Sequence, residues 1–251
     1  MTSQHPSQHW NAQTYADNAR FVADYGTSLI DWLAPQPQHR ILDLGCGDGV
    51  LTRQIVASGA TVMGVDGSAD FVAAARAKGI DAVQADAHTL MFNAEFDAVF
   101  SNAALHWMTD ADAVANNVFR GLKSGGRFVA EMGGHGNIAC IRQALQQAAT
   151  QHGWNTIPCW YFPSPAEYAT VLEHAGFTVR RLCLYERPTP LPTGIEGWLK
   201  TFATPMLACL DAAQQITVIA AACATLKQQL PQDQGIYIAD YVRLRFEAVK
   251  T

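Results

Sequence analysis

The stretch best suited to chemistry is a glycine-rich turn early in the chain. It reads I-L-D-L-G-C-G-D-G-V-L, from Ile41 to Leu51, with glycines at positions 45, 47 and 49. An apolar run enters the turn and an amphipathic stretch leaves it, which is typical of a strand, a tight turn and a helix. Glycine lets the backbone adopt a positive φ and approach a ligand closely, and a helix N-terminus offers free N–H groups. The turn is therefore a candidate binding site for a small polar ligand.

The spacing of these glycines differs from that of the common dinucleotide-binding turn. A G-x-G-x-x-G fingerprint would need a glycine at position 50, where this chain has Val50. The pattern is instead G-x-G-x-G, with Asp43 two residues before Gly45. A purely structural turn between a strand and a helix is the alternative interpretation.

Two carboxylates follow the next two apolar runs. Asp66 ends V-M-G-V-D, 21 positions after Gly45, where an acid can accept hydrogen bonds from both hydroxyls of a ribose. Asp86, in Q-A-D-A-H, offers an acceptor for an exocyclic amine. Each also has a plain structural explanation, as an exposed acid at a strand end or as a cap for local amides.

A third group of polar residues follows the fourth apolar run, in F-D-A-V-F-S-N-A-A-L-H-W. Ligands of α/β sheets bind beyond the carboxyl ends of the strands, which places Ser101, Asn102 and His106 near any reacting atom. With an ordinary pKa of about 6.5, His106 is a candidate proton acceptor or substrate hydrogen-bond partner. The alternative is a histidine fixed by packing against Trp107.

The elements that position these residues alternate through residues 40–133. Strands are predicted at Arg40–Leu44, Thr61–Asp66, Ala82–Ala85, Phe96–Asn102 and Arg127–Met132. Helices are predicted at Val50–Ser58, Ala69–Lys78 and Asp112–Leu122. This alternation predicts a parallel sheet with crossover helices, and the continuously apolar strands indicate that both faces are covered.

The flanking regions are predicted to be largely helical. Residues 1–39 form a predicted N-terminal arm that ends at Pro35–Pro37. Beyond residue 133, helices are predicted at Asn137–His152, Pro165–Ala175 and Gly194–Leu230, the last interrupted near Pro205, and strands at Thr178–Tyr185 and Tyr237–Val249. In the last strand Val242, Leu244 and Phe246 alternate with Tyr241, Arg243 and Arg245. That period of two predicts one buried face.

Composition excludes several classes of protein. The 251 residues are 49% hydrophobic and 16% charged, as in a globular chain, and the net charge is −5. Scattered Lys and Arg residues and an acidic balance argue against a nucleic-acid partner. Six cysteines include no C-x-x-C pair and no zinc-ligand spacing, so no metal is expected. A polar N-terminus and the absence of a long apolar stretch predict a cytoplasmic protein that does not bind membranes.

The motifs together resemble those of the class I S-adenosylmethionine-dependent methyltransferases. D-L-G-C-G-D-G, the two acids and G-L-K-S-G-G-R-F-V-A-E-M occur in the family's order over residues 38–132, with Ser124 in place of the usual proline. W-N-A-Q-T-Y, at Trp10–Tyr15, is similar to the segment that closes over the cofactor in the trans-aconitate methyltransferase-like branch.

The resemblance implies a fold and a cofactor. The fold is α/β and Rossmann-like: one domain over residues 1–251, with a seven-stranded, mostly parallel sheet whose last strand is antiparallel, helices on both faces, and a helical lid. Residues 40–133 form the cofactor-binding core, and residues 134–251 supply lid insertions and C-terminal strands. The cofactor is S-adenosyl-L-methionine. Its implied contacts are Tyr15, Asp43, Gly45, Cys46, Gly47, Asp66, Gly67, Asp86, Ala87 and Asn102.

Within those contacts the resemblance gives some residues a specific role. Asp66 receives the ribose, Asp86 the adenine amino group, and the backbone of Ala87 a ring nitrogen. Tyr15 is a candidate to cover the positively charged sulfonium, and the alternative is a buried helix aromatic. Cys46 is expected to be a small packing residue and not a nucleophile. His106 is the expected catalytic residue.

The expected reaction is methyl transfer to a small-molecule acceptor, with carboxyl O-methylation favoured over N- or C-methylation. An aromatic lid wall is expected from Trp154, Trp160, Tyr161, Phe162, Tyr185, Trp198 and Phe202. Candidate carboxylate ligands are Arg142, Arg180, Arg181 and Arg187, most of them expected to be solvated. Two alternatives are a non-catalytic cofactor-binding module and an NAD-dependent oxidoreductase, against which Val50 and Asp86 argue. A monomer or homodimer is expected.

Overall fold

The computed structural model describes residues 21–251 of the chain. The predicted contact Tyr15 and most of the predicted N-terminal arm lie outside the described residues. Within them the helices are α1 Phe21–Leu33, α2 Val50–Val56, α3 Ala69–Ala77, α4 Ala111–Gly121, α5 Ala139–Gln151, α6 Pro165–His174, α7 Gly194–Phe202 and α8 Ala212–Gln229. The strands are β1 Arg40–Leu44, β2 Thr61–Asp66, β3 Asp81–Gln84, β4 Phe96–Asn102, β5 Leu122–Gly133, β6 Phe177–Glu186, β7 Thr189–Pro190, β8 Gln232–Asp233, β9 Ile236–Ala239 and β10 Val242–Lys250.

Seven strands form the main sheet, in the order β3-β2-β1-β4-β5-β10-β6. The first five strands pair in parallel, whereas β10 runs antiparallel to both β5 and β6. The predicted α/β sheet with an antiparallel last strand is therefore confirmed. Because β1 and β4 are neighbours at the point where the strand order reverses, their carboxyl ends border the crevice in which such sheets bind ligands.

Four buried clusters hold the described elements together, the smallest of them between α3 and β3. One packs α1 and α2 against Ile41 and Phe100 on one face of the sheet. Another packs α4 and α6 against Leu42 and Phe128 on the other face. The third joins α5, α7 and α8 outside the sheet. Burial of apolar area drives this packing, and side-chain caps define where helices begin: Ser164 caps α6 by a reciprocal hydrogen-bond pair with Glu167.

The predicted strand at Tyr237–Val249 is wrong as a single element. The chain divides at Asp240 into β9, which joins β7 and β8, and β10, which joins the main sheet. The reason is the start of α5: Ile138 N–H donates to the Asp240 carbonyl at 2.9 Å and Cys140 N–H to the Asp240 carboxylate at 2.8 Å. These hydrogen bonds draw residue 240 out of the strand ladder.

The prediction that β10 buries only one face is also wrong. Its charged side chains Arg243, Arg245 and Glu247 are all buried. Arg245 donates to the Ser28 hydroxyl of α1 at 2.9 Å and lies over the Trp32 ring at 5.4 Å. Helix α1 therefore covers this side of the strand, which the alternating pattern alone could not reveal.

A buried carboxylate, Glu131 on β5, holds this side of the sheet together. It is 2% exposed and accepts hydrogen bonds from Arg187 at 2.9 Å, Tyr185 at 2.5 Å and Arg245 at 2.7 Å. Burial alone would raise the pKa of Glu131, but the hydrogen bonds and charge of Arg187, with those of Tyr185 and Arg245, hold it below its usual range. These ion pairs and hydrogen bonds join β5 to β6 and β10, and Arg245 extends the network to α1.

Replacing this carboxylate should destabilise the protein strongly. We expect Glu131→Gln to lower the free energy of unfolding by about 3–5 kcal/mol, because the buried Arg245 and the partly buried Arg187 lose their counter-charge. The measurement is urea unfolding at neutral pH. The matched control is Glu196→Gln, which removes an exposed ion pair with Lys200 within α7 and should change stability little. Equal unfolding curves for the two variants would contradict the assigned role of Glu131.

Candidate active site

The turn between β1 and α2 is built around glycines in the left-handed region. Gly45 has φ +77° and Gly47 has φ +55°. A Cβ atom on Gly45 would lie 2.2 Å from the Cβ of Ala104, so both the backbone conformation and the available space require glycine there. A Cβ on Gly47 would meet no protein atom within 4 Å. Gly47 therefore borders open space in front of the turn.

Asp66, at the end of β2, is bonded directly to this turn. Its carboxylate accepts a hydrogen bond from Gly47 N–H at 2.9 Å and another from Ser68 N–H at 2.9 Å. Burial raises the pKa of Asp66, although these two backbone donors oppose the rise. A Cβ on the neighbouring Gly67 would also meet no protein atom within 4 Å. Asp66, the glycine turn and Gly67 therefore lie together at the carboxyl ends of β1 and β2.

Asp43 and Cys46 brace the turn from within. Asp43 is 2% exposed and accepts a hydrogen bond from the Thr52 hydroxyl of α2 at 2.7 Å, and burial raises its pKa to about 7. Cys46 is buried, and its N–H donates to the Val65 carbonyl at 3.1 Å. Burial raises the pKa of the Cys46 thiol, which stays protonated at neutral pH and is a poor nucleophile.

Asp86 begins a single 3₁₀ turn after β3. Its carboxylate accepts a hydrogen bond from His88 N–H at 2.9 Å and contacts the His88 ring nitrogen Nδ1 at 2.6 Å. The carbonyl of Ala87 accepts a hydrogen bond from Asn117 at 3.0 Å. About half of the Asp86 side chain, 51%, remains exposed, so a bound group can still reach the carboxylate.

The end of β4 is fastened to the glycine turn. The Ser101 hydroxyl donates to the Leu44 carbonyl at 2.7 Å. Asn102 lies under α1, since a Cβ on Gly26 would lie 2.8 Å from the Asn102 amide nitrogen. Ala103, with φ +55°, then donates its N–H to the Glu131 carbonyl at 2.7 Å. These contacts bring the loop after β4 against the loop after β1.

His106 is buried in the short 3₁₀ turn Leu105–Trp107, beyond β4. Its Nδ1 accepts a hydrogen bond from Gly133 N–H at 3.3 Å, so the ring proton is on Nε2. The ring packs against Trp107 at 5.5 Å and Phe162 at 5.6 Å between centroids. Burial, and then the charge of Arg243, hold the pKa of His106 well below its ordinary value. The imidazole is therefore neutral at neutral pH.

A pocket opens beside His106, with an empty volume of about 390 Å³ that includes its open part. Its aromatic walls are Trp107, Trp160, Phe162, Trp198, Phe202 and Tyr241. Its polar lining consists of His106, Asn137 and Arg243. Ala103 also lines it, and its neighbour Ala104 touches Gly45. The pocket therefore lies next to the glycine turn.

Comparison with known proteins identifies the family. Residues 42–130 match a protein family described as a methyltransferase domain. An uncharacterized methyltransferase of Schizosaccharomyces pombe is 34% identical, and the alignment covers 98% of this chain and 99% of that protein. The chain belongs to the class I S-adenosylmethionine-dependent methyltransferases.

Further relatives agree with this assignment. The methyltransferase is 26% identical to a trans-aconitate 2-methyltransferase of Deinococcus radiodurans, over 96% of this chain and 98% of that protein. Among solved structures, the YcgJ protein of Bacillus subtilis has a TM-score of 0.64 at 18% identity, covering 92% of this chain and 98% of that one. The structural likeness shows the fold alone.

The residues of the turn fit S-adenosylmethionine. Open space lies in front of Gly47 and Gly67, where a side chain would intrude. Asp66 and the half-exposed Asp86 supply carboxylate acceptors after β2 and β3. Within residues 21–251 of the methyltransferase, no group of three or more side chains is arranged to hold a metal ion, and no helix is long and apolar enough to cross a membrane.

Part of the pocket was predictable from the sequence. Four of the predicted lid aromatics line it: Trp160, Phe162, Trp198 and Phe202. Tyr185 instead bonds to Glu131, and none of the four arginines predicted as carboxylate ligands lines the pocket. Arg243 and Asn137 were not predicted as pocket residues. The alternation in β10 predicted an exposed arginine, and Asn137 lies at a predicted helix start, where an asparagine is common for structural reasons alone. The signal in the sequence that could have indicated a charged pocket residue was Arg243, the first arginine of A-D-Y-V-R-L-R.

Asp66 should be essential for cofactor affinity. We expect Asp66→Asn to weaken binding of S-adenosylhomocysteine roughly tenfold to a hundredfold, because a charge-assisted hydrogen bond contributes about 1.5–3 kcal/mol. Isothermal titration calorimetry of the purified protein measures this. Asp70→Asn, an exposed acid on α3, is the matched control and should bind as the wild type does. Unchanged affinity in Asp66→Asn would remove Asp66 from the cofactor site.

Proposed function

We propose that this methyltransferase methylates a carboxyl group of a small-molecule acceptor bound in the aromatic pocket. The observation that carries the proposal is the buried Arg243 in the pocket lining. The relative from Deinococcus radiodurans, named for trans-aconitate, supports an acid as acceptor.

Arg243 suits a carboxylate by charge and by geometry. It lies on β10 opposite Gly133, is 5% exposed, and is placed over the Tyr241 ring at 4.7 Å. Among the described lining residues it alone carries a permanent positive charge. A guanidinium can bind a carboxylate through two parallel hydrogen bonds, and burial strengthens that pairing. An amine acceptor would meet a like charge instead.

We assign His106 the role of a hydrogen-bond donor to the acceptor. A carboxylate is ionised at neutral pH and needs no general base before methylation. With Nδ1 engaged by Gly133 N–H, the Nε2–H of the neutral imidazole is the group available to a pocket ligand. The lowered pKa of His106 agrees with this role, since the ring keeps its donor proton without becoming charged.

The chain's own contribution is binding, orientation and exclusion of water. S-adenosylmethionine, when bound, supplies a methyl group on a positively charged sulfur that is activated for transfer. We propose that Asp66 holds the ribose, that Asp86 and the Ala87 backbone hold the adenine, and that Gly45 and Gly47 let the turn approach the cofactor closely. The aromatic walls of the pocket keep water from the acceptor.

We propose Asn102 as a further cofactor contact and the cytoplasm as the setting of the enzyme. Asn102, at the end of β4 beneath α1, completes the polar edge of the cofactor site. The six cysteines are free thiols, which fits an enzyme of the reducing cytoplasm.

Carboxyl methylation is tested by the chemistry of the product. Incubated with S-adenosylmethionine and a panel of carboxylic acids that includes trans-aconitate, the enzyme should give a methyl ester, which alkali hydrolyses to the acid and methanol. We expect Arg243→Met to raise KM at least tenfold, with Arg243→Lys intermediate, because the charge pair with the acceptor is lost. Mass spectrometry and initial rates measure both effects.

The matched control is Arg180→Met, an exposed arginine on β6, which should leave KM unchanged. A methylated product that survives alkali, or an unchanged KM in Arg243→Met, would contradict the proposal.

A further inference from the structure

The pocket beside His106 is apolar on most sides and positively charged at one. The Trp160 and Phe162 rings stack 6.0 Å apart at 12°, and Trp107 packs against Trp160 at 5.5 Å. Trp198 packs against Phe202 at 5.0 Å on another wall. Flat aromatic surfaces of this kind bind flat apolar or conjugated groups through large contact areas and ring stacking.

Two polar groups of the pocket are already engaged within the protein. The Tyr241 hydroxyl accepts a hydrogen bond from the Trp198 indole at 2.6 Å, and the side-chain Oδ1 of Asn137 accepts one from Val242 N–H at 2.9 Å. Among the described lining residues Arg243 carries the one permanent positive charge, and His106 adds a neutral donor. A second or third carboxylate would face aromatic rings, whose faces carry negative potential, and would be buried at a high cost.

From this arrangement we infer that the acceptor is a monocarboxylate on a flat, apolar, conjugated body, and not a polycarboxylate such as trans-aconitate. The inference rests on the proposed carboxyl methylation and specifies its substrate class. The acceptor's single carboxylate pairs with Arg243, and its planar body lies between the aromatic walls.

Two unsaturated acids provide a matched pair of probes. Trans-cinnamate and trans-aconitate both carry a carboxylate on a carbon–carbon double bond, but the first adds a phenyl ring and the second adds two further carboxylates. Calorimetric titration of each into the protein saturated with S-adenosylhomocysteine measures binding without turnover. We expect trans-cinnamate to bind at least tenfold more tightly than trans-aconitate. Equal or tighter binding of trans-aconitate, or no binding of trans-cinnamate, would overturn the inference.

A neutral analogue separates this inference from the proposed function. Cinnamamide keeps the flat body and lacks the charge, so we expect it to bind at least tenfold more weakly than trans-cinnamate. If the amide binds as tightly as the acid, carboxylate recognition fails while the flat, apolar acceptor stands. If trans-aconitate binds more tightly than both, the flat apolar body fails while carboxylate recognition stands.

A pair of tryptophan substitutions tests the wall directly. Trp160→Leu should weaken trans-cinnamate binding at least fivefold and leave S-adenosylhomocysteine binding unchanged. Trp154→Leu removes an aromatic ring that stacks on His152 and does not line the pocket, so it should leave both affinities unchanged. Circular dichroism confirms folding of each variant. Equal trans-cinnamate affinity in the two variants would overturn the assignment of the wall.

Discussion

The close contact between Gly45 and Ala104 is the constraint on which the rest of the site depends. It brings the loop after β1 against the loop after β4, and a side chain at position 45 would collide with Ala104. The first loop carries Gly47 with its bond to Asp66, and the second continues through the pocket to His106. The proposed cofactor site and the proposed acceptor pocket are therefore adjacent, because two parallel strands end beside each other and Gly45 has no side chain. That adjacency supplies the proximity which methyl transfer requires.

A buried charge network fixes the other side of the pocket. Arg243 belongs to β10, and two residues further along the same strand Arg245 bonds to Glu131 of β5 and to Ser28 of α1. Such ion pairs are costly to desolvate, so they specify one arrangement of strand and helix more than they add stability. In this protein the arrangement they specify holds an arginine beside an aromatic pocket. The positive charge of Arg243 also helps lower the pKa of His106. A neutral imidazole suits the proposed role of hydrogen-bond donor better than that of a general base.

Sequence patterns predicted the parts of the fold that depend on local burial. The strands β1, β2 and β4 have the predicted bounds, because each is a largely apolar run that ends at a polar residue or before a glycine. The same reasoning failed at β10. Its alternating arginines are typical of an exposed face, but in the folded protein Glu131 pairs with Arg245 and α1 covers this side of the strand. His106 was found from its place after β4. Arg243 and Asn137 could not be found, since the pocket joins segments more than 100 positions apart, and no local pattern records which strand β10 pairs with.

The most direct test of the account is the affinity for S-adenosylhomocysteine of two glycine variants, measured by calorimetry. Gly45 and Gly125 share a φ of +77°, so alanine strains the backbone alike at both, but only at position 45 does the new Cβ meet Ala104. We expect Gly45→Ala, confirmed as folded by circular dichroism, to lose most of its affinity. Gly125→Ala should bind as the wild type does and lose only stability. Wild-type affinity in both variants would contradict the claim that this contact organises the active site.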